Sequence, residues 1–402
     1  MQPPEFWLVI LALGALAARI GLCLFLSGAS RSKNAAGAAL RVLIDLCVGL
    51  LAFWGVGLAI LTDRWGALLG LHSAFGAAAL FDATMVLIAT GVALGSTLER
   101  TRFEAPLVGS FLLAGLLVPL AGRWVWYGWL NHLGFVDMGG ASVLYLTGGL
   151  CGAAGAILAG PRFGKYNHDG SANLIPGHSA PQLTCGAVAL AFGMMWQIFG
   201  CVIIHGSIAN SASDLSLAVV DPLLAAAAGG VIGLHHGRSR YGVFDLHFAV
   251  TGFLGGLVAA SAGAGRLATP AAVFIGAVAG LLATHAAIRV DLRRKIDDPT
   301  AGIAIHVVSA IWGLLAAAAL MTGVGSPAQR LRLVGVQTLG IAVIGAMTFA
   351  ASLIGFQVFK KAVGLRPSEA DELDGADLVE HDLNAYPDFH QTMVKSYHLR
   401  ET

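Results

Sequence analysis

Two stretches of this chain place an aspartate eight residues before a polar ring: Asp137 before Tyr145, and Asp298 before His306. Each pair opens a long apolar run. An imidazole can accept or relay a proton near neutral pH. A phenol donates and accepts hydrogen bonds, but its ordinary pKa of about 10 prevents proton shuttling at that pH. Were the two rings to meet, Tyr145 could orient His306 by a hydrogen bond, while only His306 is suited to take a proton. A second echo pairs Phe81-Asp82 with Phe244-Asp245, and the Asp-to-Asp separations are 55 and 53 residues. Other chemistries have little support. Cys23, Cys47, Cys151, Cys185 and Cys201 all sit in apolar runs with no CxxC pair, so neither a zinc site nor a disulfide frame is expected. There is no phosphate-binding loop, metal cluster or nucleophile constellation, so neither an enzyme nor a cofactor is indicated. His205, His235, His236, His247 and His285 fit no motif, and His235-His236 read as solvated residues at a helix end.

The elements that must position these groups follow from composition. Of 402 residues, 56% are hydrophobic and 12% charged, about half the charge of a soluble domain. Disorder is excluded because disordered chains are polar, and a net charge of +1 argues against a nucleic-acid partner. The reading is an all-α polytopic membrane protein. A membrane helix needs about 20 apolar residues. Eleven candidate spans lie near 6–28, 37–62, 76–98, 105–122, 138–160, 182–204, 215–235, 246–264, 270–289, 301–322 and 333–359. They form one membrane domain, 1–359, followed by a polar C-terminal tail, 360–402. With the N-terminus outside, 18 of the 24 Lys and Arg fall on the cytoplasmic side and 5 outside, with Arg19 inside the first span. That skew is what the positive-inside rule requires. Ala15-Leu16-Ala17 could mimic a signal-peptidase site, but only Glu5 is charged before it, so an uncleaved first helix is expected.

The two echoes are offset by five spans. An odd offset gives halves of opposite topology, so the expected architecture is an inverted five-plus-five repeat plus a final helix. Tyr145 and His306 become symmetry mates near the bundle centre. Small-xxx-small spacings at Gly91/Gly95, Gly148/Gly152, Gly252/Gly256 and Gly276/Gly280 let helix backbones approach closely.

Several motifs, in this order and spacing, resemble the ammonium transporter (Amt/Mep/Rh) family over nearly the whole chain. Residues 28–34, GASRSKN, are similar to the family's loop after the first helix, and Leu98 to Phe103, LERTRF, to its AERxRF signature. Asp137 to Gly140, DMGG, resembles the DFAGG opening of the fifth helix. Asp297, Asp298 and Pro299 with His306 resemble the DDP…H stretch of the tenth. In the tail, VGLR at 363–366 and EHDLNAY at 380–386 are similar to the family's HGExAY ending. The resemblance implies a homotrimer with a narrow apolar pore in each subunit.

It also implies roles. His306 matches the second of two facing pore histidines, and Tyr145 stands where the first would be, which puts proton-coupled transport in doubt. The outer gate ring falls four residues after Phe81, at Met85, a residue type that is more often plain packing than gate. Two registers of the sixth span place either Gln197 or Phe199 at the second gate position. The gapless one also puts Cys201 at the outer site. Asp137 matches a buried aspartate that caps donors beside that site. Trp126 lies closest to a family tryptophan that would recruit ammonium by cation–π contact. The aromatic cluster of the 122–136 loop (Trp124, Trp126, Tyr127, Trp129, His132) could instead be a headgroup belt. Asp82 could attract cations or pair with a base, and Arg19 could pair with one of the buried acids, Asp45 or Asp82.

The expected function is passage of ammonium or ammonia, with ammonium deprotonated on the way in. The alternatives are a non-conducting ammonium sensor, whose tail contacts a cytosolic regulator, and a channel for another small neutral molecule.

Overall fold

In the computed structural model, residues 5–70, 75–206 and 212–387 are described. Lys395 and Arg400 of the tail lie outside the described residues. Eleven apolar helices match the eleven expected spans. They are α1 Glu5–Ala29, α2 Ser32–Thr62, α3 Ala77–Gly95, α4 Ala105–Leu133, α5 Ala141–Ala159, α6 Ala180–Ile204, α7 Asp214–Tyr241, α8 Leu246–Ser261, α9 Thr269–Leu292, α10 Ile303–Leu320 and α11 Pro327–Ala362. Among the described residues no strand forms. Among the described residues ten helices are long and apolar enough to cross a membrane, whereas α8 has only 16 residues, about 24 Å at 1.5 Å per residue. Asp245 fixes its start by accepting the His247 N–H at 2.7 Å, and a turn at 262–266 follows its end.

The aromatic segment expected as a loop at 122–136 is largely helical. α4 continues past Gly122 through a π-helical turn, Arg123–Tyr127, and a further turn, Trp129–Leu133. Val125 and Leu130 keep the buried face going, and Gly134, at φ +95°, ends the helix as only glycine does readily.

The internal repeat is visible in backbone detail. Asp137 accepts the N–H groups of Ala141 and Ser142 at 2.6 Å each and the Ser142 hydroxyl at 2.6 Å. Asp298 accepts the Ile303 N–H at 2.7 Å. Each aspartate thus holds the first turn of α5 or α10, and both turns are π-helical, Ala141–Leu146 and Ile303–Val308. Three residues after each aspartate the chain turns left-handed, at Gly140 (φ +82°) and Ala301 (φ +54°). A Cβ on Gly148 of α5 would lie 2.5 Å from the Ala89 carbonyl of α3, and one on Gly313 of α10 would lie 2.2 Å from the Ala259 carbonyl of α8. So α3–α5 and α8–α10 make the same close crossing. The other echo is less regular, because Asp82 sits inside α3 while Asp245 is the N-cap of α8.

Arg19 pairs with Asp45 rather than Asp82. Its guanidinium contacts the Asp45 carboxylate and the Leu87 carbonyl, and reaches the Thr90 hydroxyl at 2.7 Å. Asp45 also accepts from the Thr90 hydroxyl at 2.9 Å and from Ser110. Asp45 is fully buried and Arg19 nearly so. This network joins α1, α2, α3 and α4 inside the apolar bundle, where a charge persists only when paired and hydrogen-bonded.

The tail packs on one face of the bundle, together with the α1–α2, α3–α4 and α5–α6 connections; the opposite face carries the α4 aromatics. Two short helices, α12 Glu369–Asp374 and α13 Ala376–Val379, bring carboxylates to that tail face. Asp377 accepts the Ala36 and Gly37 N–H groups at 2.9 and 2.6 Å, an anion at the helix N-terminus where the dipole favours it. Glu380 accepts the Phe103 N–H at 3.0 Å and pairs with Arg41 at 3.2 Å. Beneath them Arg162 grips Asp297 with two hydrogen bonds, 2.8 and 2.9 Å, and contacts Glu99 at 3.3 Å.

Burial alone would raise the Asp297 carboxyl, but the Arg162 hydrogen bonds and charge, with Arg100 nearby, lower it to about 2. A depressed acid contributes stability above its unfolded pKa of about 3.9 and loses it as pH falls through the folded value. The Asp297 contribution, about 2–3 kcal/mol, should therefore disappear between about pH 4 and pH 2. An Asp297→Asn variant melted in detergent should lose that acid dependence and be less stable than wild type at pH 6. Identical acid titrations of the two proteins would contradict this.

Candidate functional site

The two π-helical turns bring Tyr145 and His306 together. Their ring centroids lie 5.9 Å apart with planes 18° from parallel. Tyr145 is completely buried and His306 is 5% exposed. The Tyr145 hydroxyl does not hydrogen-bond His306, as the sequence suggested it could. It donates to Gln197 Oε1 at 2.8 Å, and the Gln197 amide in turn donates to the Gly139 carbonyl at 3.1 Å. The geometry explains this: near-parallel rings direct the phenol oxygen past the imidazole toward α6. His306 Nδ1 is buried with no hydrogen-bond partner among the described residues. Such an atom is costly unless something supplies a partner.

α6 turns Gln197 fully inward and leaves Phe199 only partly buried on another face. Of the two registers, the gapless one faces Tyr145. Cys201, one turn further along the same face, is fully buried. Phe81 is also fully buried, and its ring packs on α6 where a Cβ at Gly200 would come within 2.3 Å. Met85 is 1% exposed, one turn along α3 from Phe81. From the aromatic face inward, the chain therefore stacks Phe81 on α6 near Cys201, then the Tyr145–Gln197 pair, then His306.

Above this line lies a cavity of about 60 Å³ lined by Trp126, Asn131, Asp137, His205 and Arg266, among others. The Trp126 indole N–H donates to the Asp137 carbonyl at 3.2 Å. The Asp137 carboxylate itself is turned into the α5 N-terminus and does not face the cavity through a free oxygen. The face of Trp126 is not open. The His205 ring stacks on it, with centroids 4.1 Å apart and planes within 6°. His205 Nε2 lies 3.1 Å from Asp82 Oδ1 and its Nδ1 lies 3.0 Å from the Tyr127 hydroxyl. The base that partners Asp82 is thus His205, a residue no sequence pattern singled out. Its partners are 123 and 78 residues away along the chain, so only the fold could reveal them. Among the described residues no group of three or more His, Cys, Asp or Glu is arranged to hold a metal.

Residues 5–386 match the family model "Ammonium Transporter Family". The chain is 31% identical to ammonium transporter Amt2 of Archaeoglobus fulgidus, over 96% of this chain and 89% of that one. It is 30% identical to ammonium transporter Amt2 of Haloferax mediterranei, over 92% and 86%. Among solved structures it is similar to a "Sensor Amt Protein", with a TM-score of 0.86, 28% identity, and coverage of 94% of this chain and 98% of that one. It shares the fold of Saccharomyces cerevisiae Mep2, with a TM-score of 0.78, 23% identity, and coverage of 90% and 87%. The relatives so named are transporters rather than enzymes, and on the extent of these matches the chain is a member of the ammonium transporter family.

Proposed function

We propose that this protein passes ammonium nitrogen across the membrane as neutral ammonia. Ammonium collects at the aromatic face and gives its proton back to the water on that side, and ammonia moves past Phe81, Tyr145 and His306. The observation that carries this reading is the buried His306 with an unpartnered Nδ1 at the end of a buried line of side chains in which Tyr145 and Gln197 satisfy each other. An ion stripped of water in such surroundings costs several kcal/mol or more, whereas ammonia can donate a hydrogen bond to the waiting nitrogen. With Tyr145 bonded to Gln197, no pair of imidazoles bridges the line for protons, so the passage is electroneutral. We orient the aromatic face outward and the tail face to the cytoplasm, because the basic residues divide that way. By likeness to the family, three copies assemble and each has its own path. The tail face is where a cytosolic regulator would bind.

A second reading is a sensor that binds ammonium without conducting. Two observations favour it: the likeness to a structure named as a sensor Amt protein, and the Tyr145–Gln197 bond lying across the line. Wild type and Tyr145→His, reconstituted in liposomes and given an ammonium gradient, separate these readings. The transport reading expects ammonia flux in both and a sustained current only in the variant. Equal currents would mean that Tyr145 already supports proton movement. The absence of flux and current in wild type would leave the sensor reading.

A further inference from the structure

Beside the cavity at the aromatic face, Trp126, Asp82 and Tyr127 make the parts of a cation seat, and His205 already lies among them. A cation held within about 6 Å of a tryptophan ring centroid is attracted by the ring face. The His205 imidazole lies 4.1 Å from the Trp126 ring, parallel to it, and Trp126 keeps only 9% of its surface exposed. The Asp82 carboxylate, the anion that a seated cation would meet, is taken by His205 Nε2. The Tyr127 hydroxyl is taken by Nδ1, and Tyr127 itself is 47% exposed. His205 is also the C-cap of α6, so its backbone is fixed by the helix that carries Gln197 and Cys201. The groups around it are Asp82 from α3, Trp126 and Tyr127 from α4, Cys201 from α6, Asp137 before α5, and Arg266 between α8 and α9.

We propose that His205 is a tethered occupant of the outer cation seat. It must leave Trp126 before ammonium can bind there, and so it sets how readily, and for which cations, the path opens. The imidazole satisfies at once each interaction that ammonium would use: the ring face, the carboxylate and the hydroxyl. A small cation can displace it while keeping Asp82 satisfied. A larger alkylammonium must displace it farther to reach the same ring face and carboxylate. His205 therefore selects against bulk as well as raising the concentration needed. The inference rests on the reading that the aromatic face is the ammonium mouth, but it does not require that the line beyond conducts.

Two substitutions separate occupancy from mere packing. His205→Ala empties the seat and frees Asp82. His205→Phe keeps a ring on Trp126 but cannot engage Asp82 or Tyr127. For the full chain in liposomes, His205→Ala should lower half-saturating ammonium about tenfold, because the seat no longer has to be vacated first. It should also raise methylammonium flux relative to ammonium. His205→Phe should stay at or above the wild-type half-saturation. If both variants weaken transport alike, or if His205→Ala leaves half-saturation and the methylammonium ratio unchanged, the inference is wrong. Should no variant transport, ammonium titration of tryptophan fluorescence in detergent reads the seat directly, with Trp126→Phe as the control. Tighter ammonium binding in His205→Ala than in wild type would then uphold the seat while the transport reading fails. No difference between them would overturn it.

Discussion

His306→Leu is expected to reduce ammonia flux about a hundredfold while leaving the protein as stable as wild type. The functional loss follows from removing the imidazole that faces Tyr145. Without it ammonia meets no partner there, and an unpaired polar group in buried surroundings costs about 1–3 kcal/mol, up to about a hundredfold at about 1.4 kcal/mol per factor of ten. The unchanged stability follows from the unpartnered Nδ1. A buried polar atom without a partner stabilises nothing, and an apolar replacement of similar size relieves its desolvation cost. Thermal melting in detergent should therefore place His306→Leu within about 1 kcal/mol of wild type, or above it. Tyr145→Phe makes the contrast, because it strips Gln197 Oε1 of its donor and should cost about 1–3 kcal/mol. If His306→Leu were clearly less stable than Tyr145→Phe, His306 would be a structural residue and the account of the site would fail.

The second large effect is at Arg19. Arg19→Leu leaves the Asp45 carboxylate buried in the bundle with only the Thr90 and Ser110 hydroxyls. Breaking a buried pair by removing one partner costs about 3–5 kcal/mol, mainly because the remaining charge is uncompensated. The double variant Arg19→Leu/Asp45→Leu should recover most of that loss, since replacing both members of a buried pair with apolar groups is often nearly neutral. Detergent unfolding of the two variants checks both statements. A single variant as stable as wild type, or a double variant no better than the single one, would show that the network is not a coupled pair.

How far these sites could be read from the chain depends on distance along it. Asp137 and Asp298 were legible because charge is scarce and each lies within five residues of the backbone N–H groups it caps. The eleven helices were legible for the same reason: long apolar runs punctuated by basic loops leave few alternatives. The pairing of Tyr145 with His306 could be read from the repeat, but the direction of the Tyr145 hydroxyl could not. That direction depends on how α6 is rotated, and α6 offered both Gln197 and Phe199. The cover on Trp126 was illegible. His205 lies in no motif and gains its meaning only where α3, α4 and α6 converge. The aromatic continuation of α4 was missed because tryptophans at a membrane boundary suit a loop and a helix end equally well.

The central claim is that nitrogen crosses as neutral ammonia past a single histidine, the proton staying behind. The most direct measurement follows internal pH and membrane current together when liposomes containing the wild-type protein meet an ammonium gradient. Rapid internal alkalinisation is expected, as arriving ammonia takes up protons, with no sustained current above that of protein-free liposomes. A sustained current proportional to ammonium, or alkalinisation no faster than in protein-free liposomes, would contradict it.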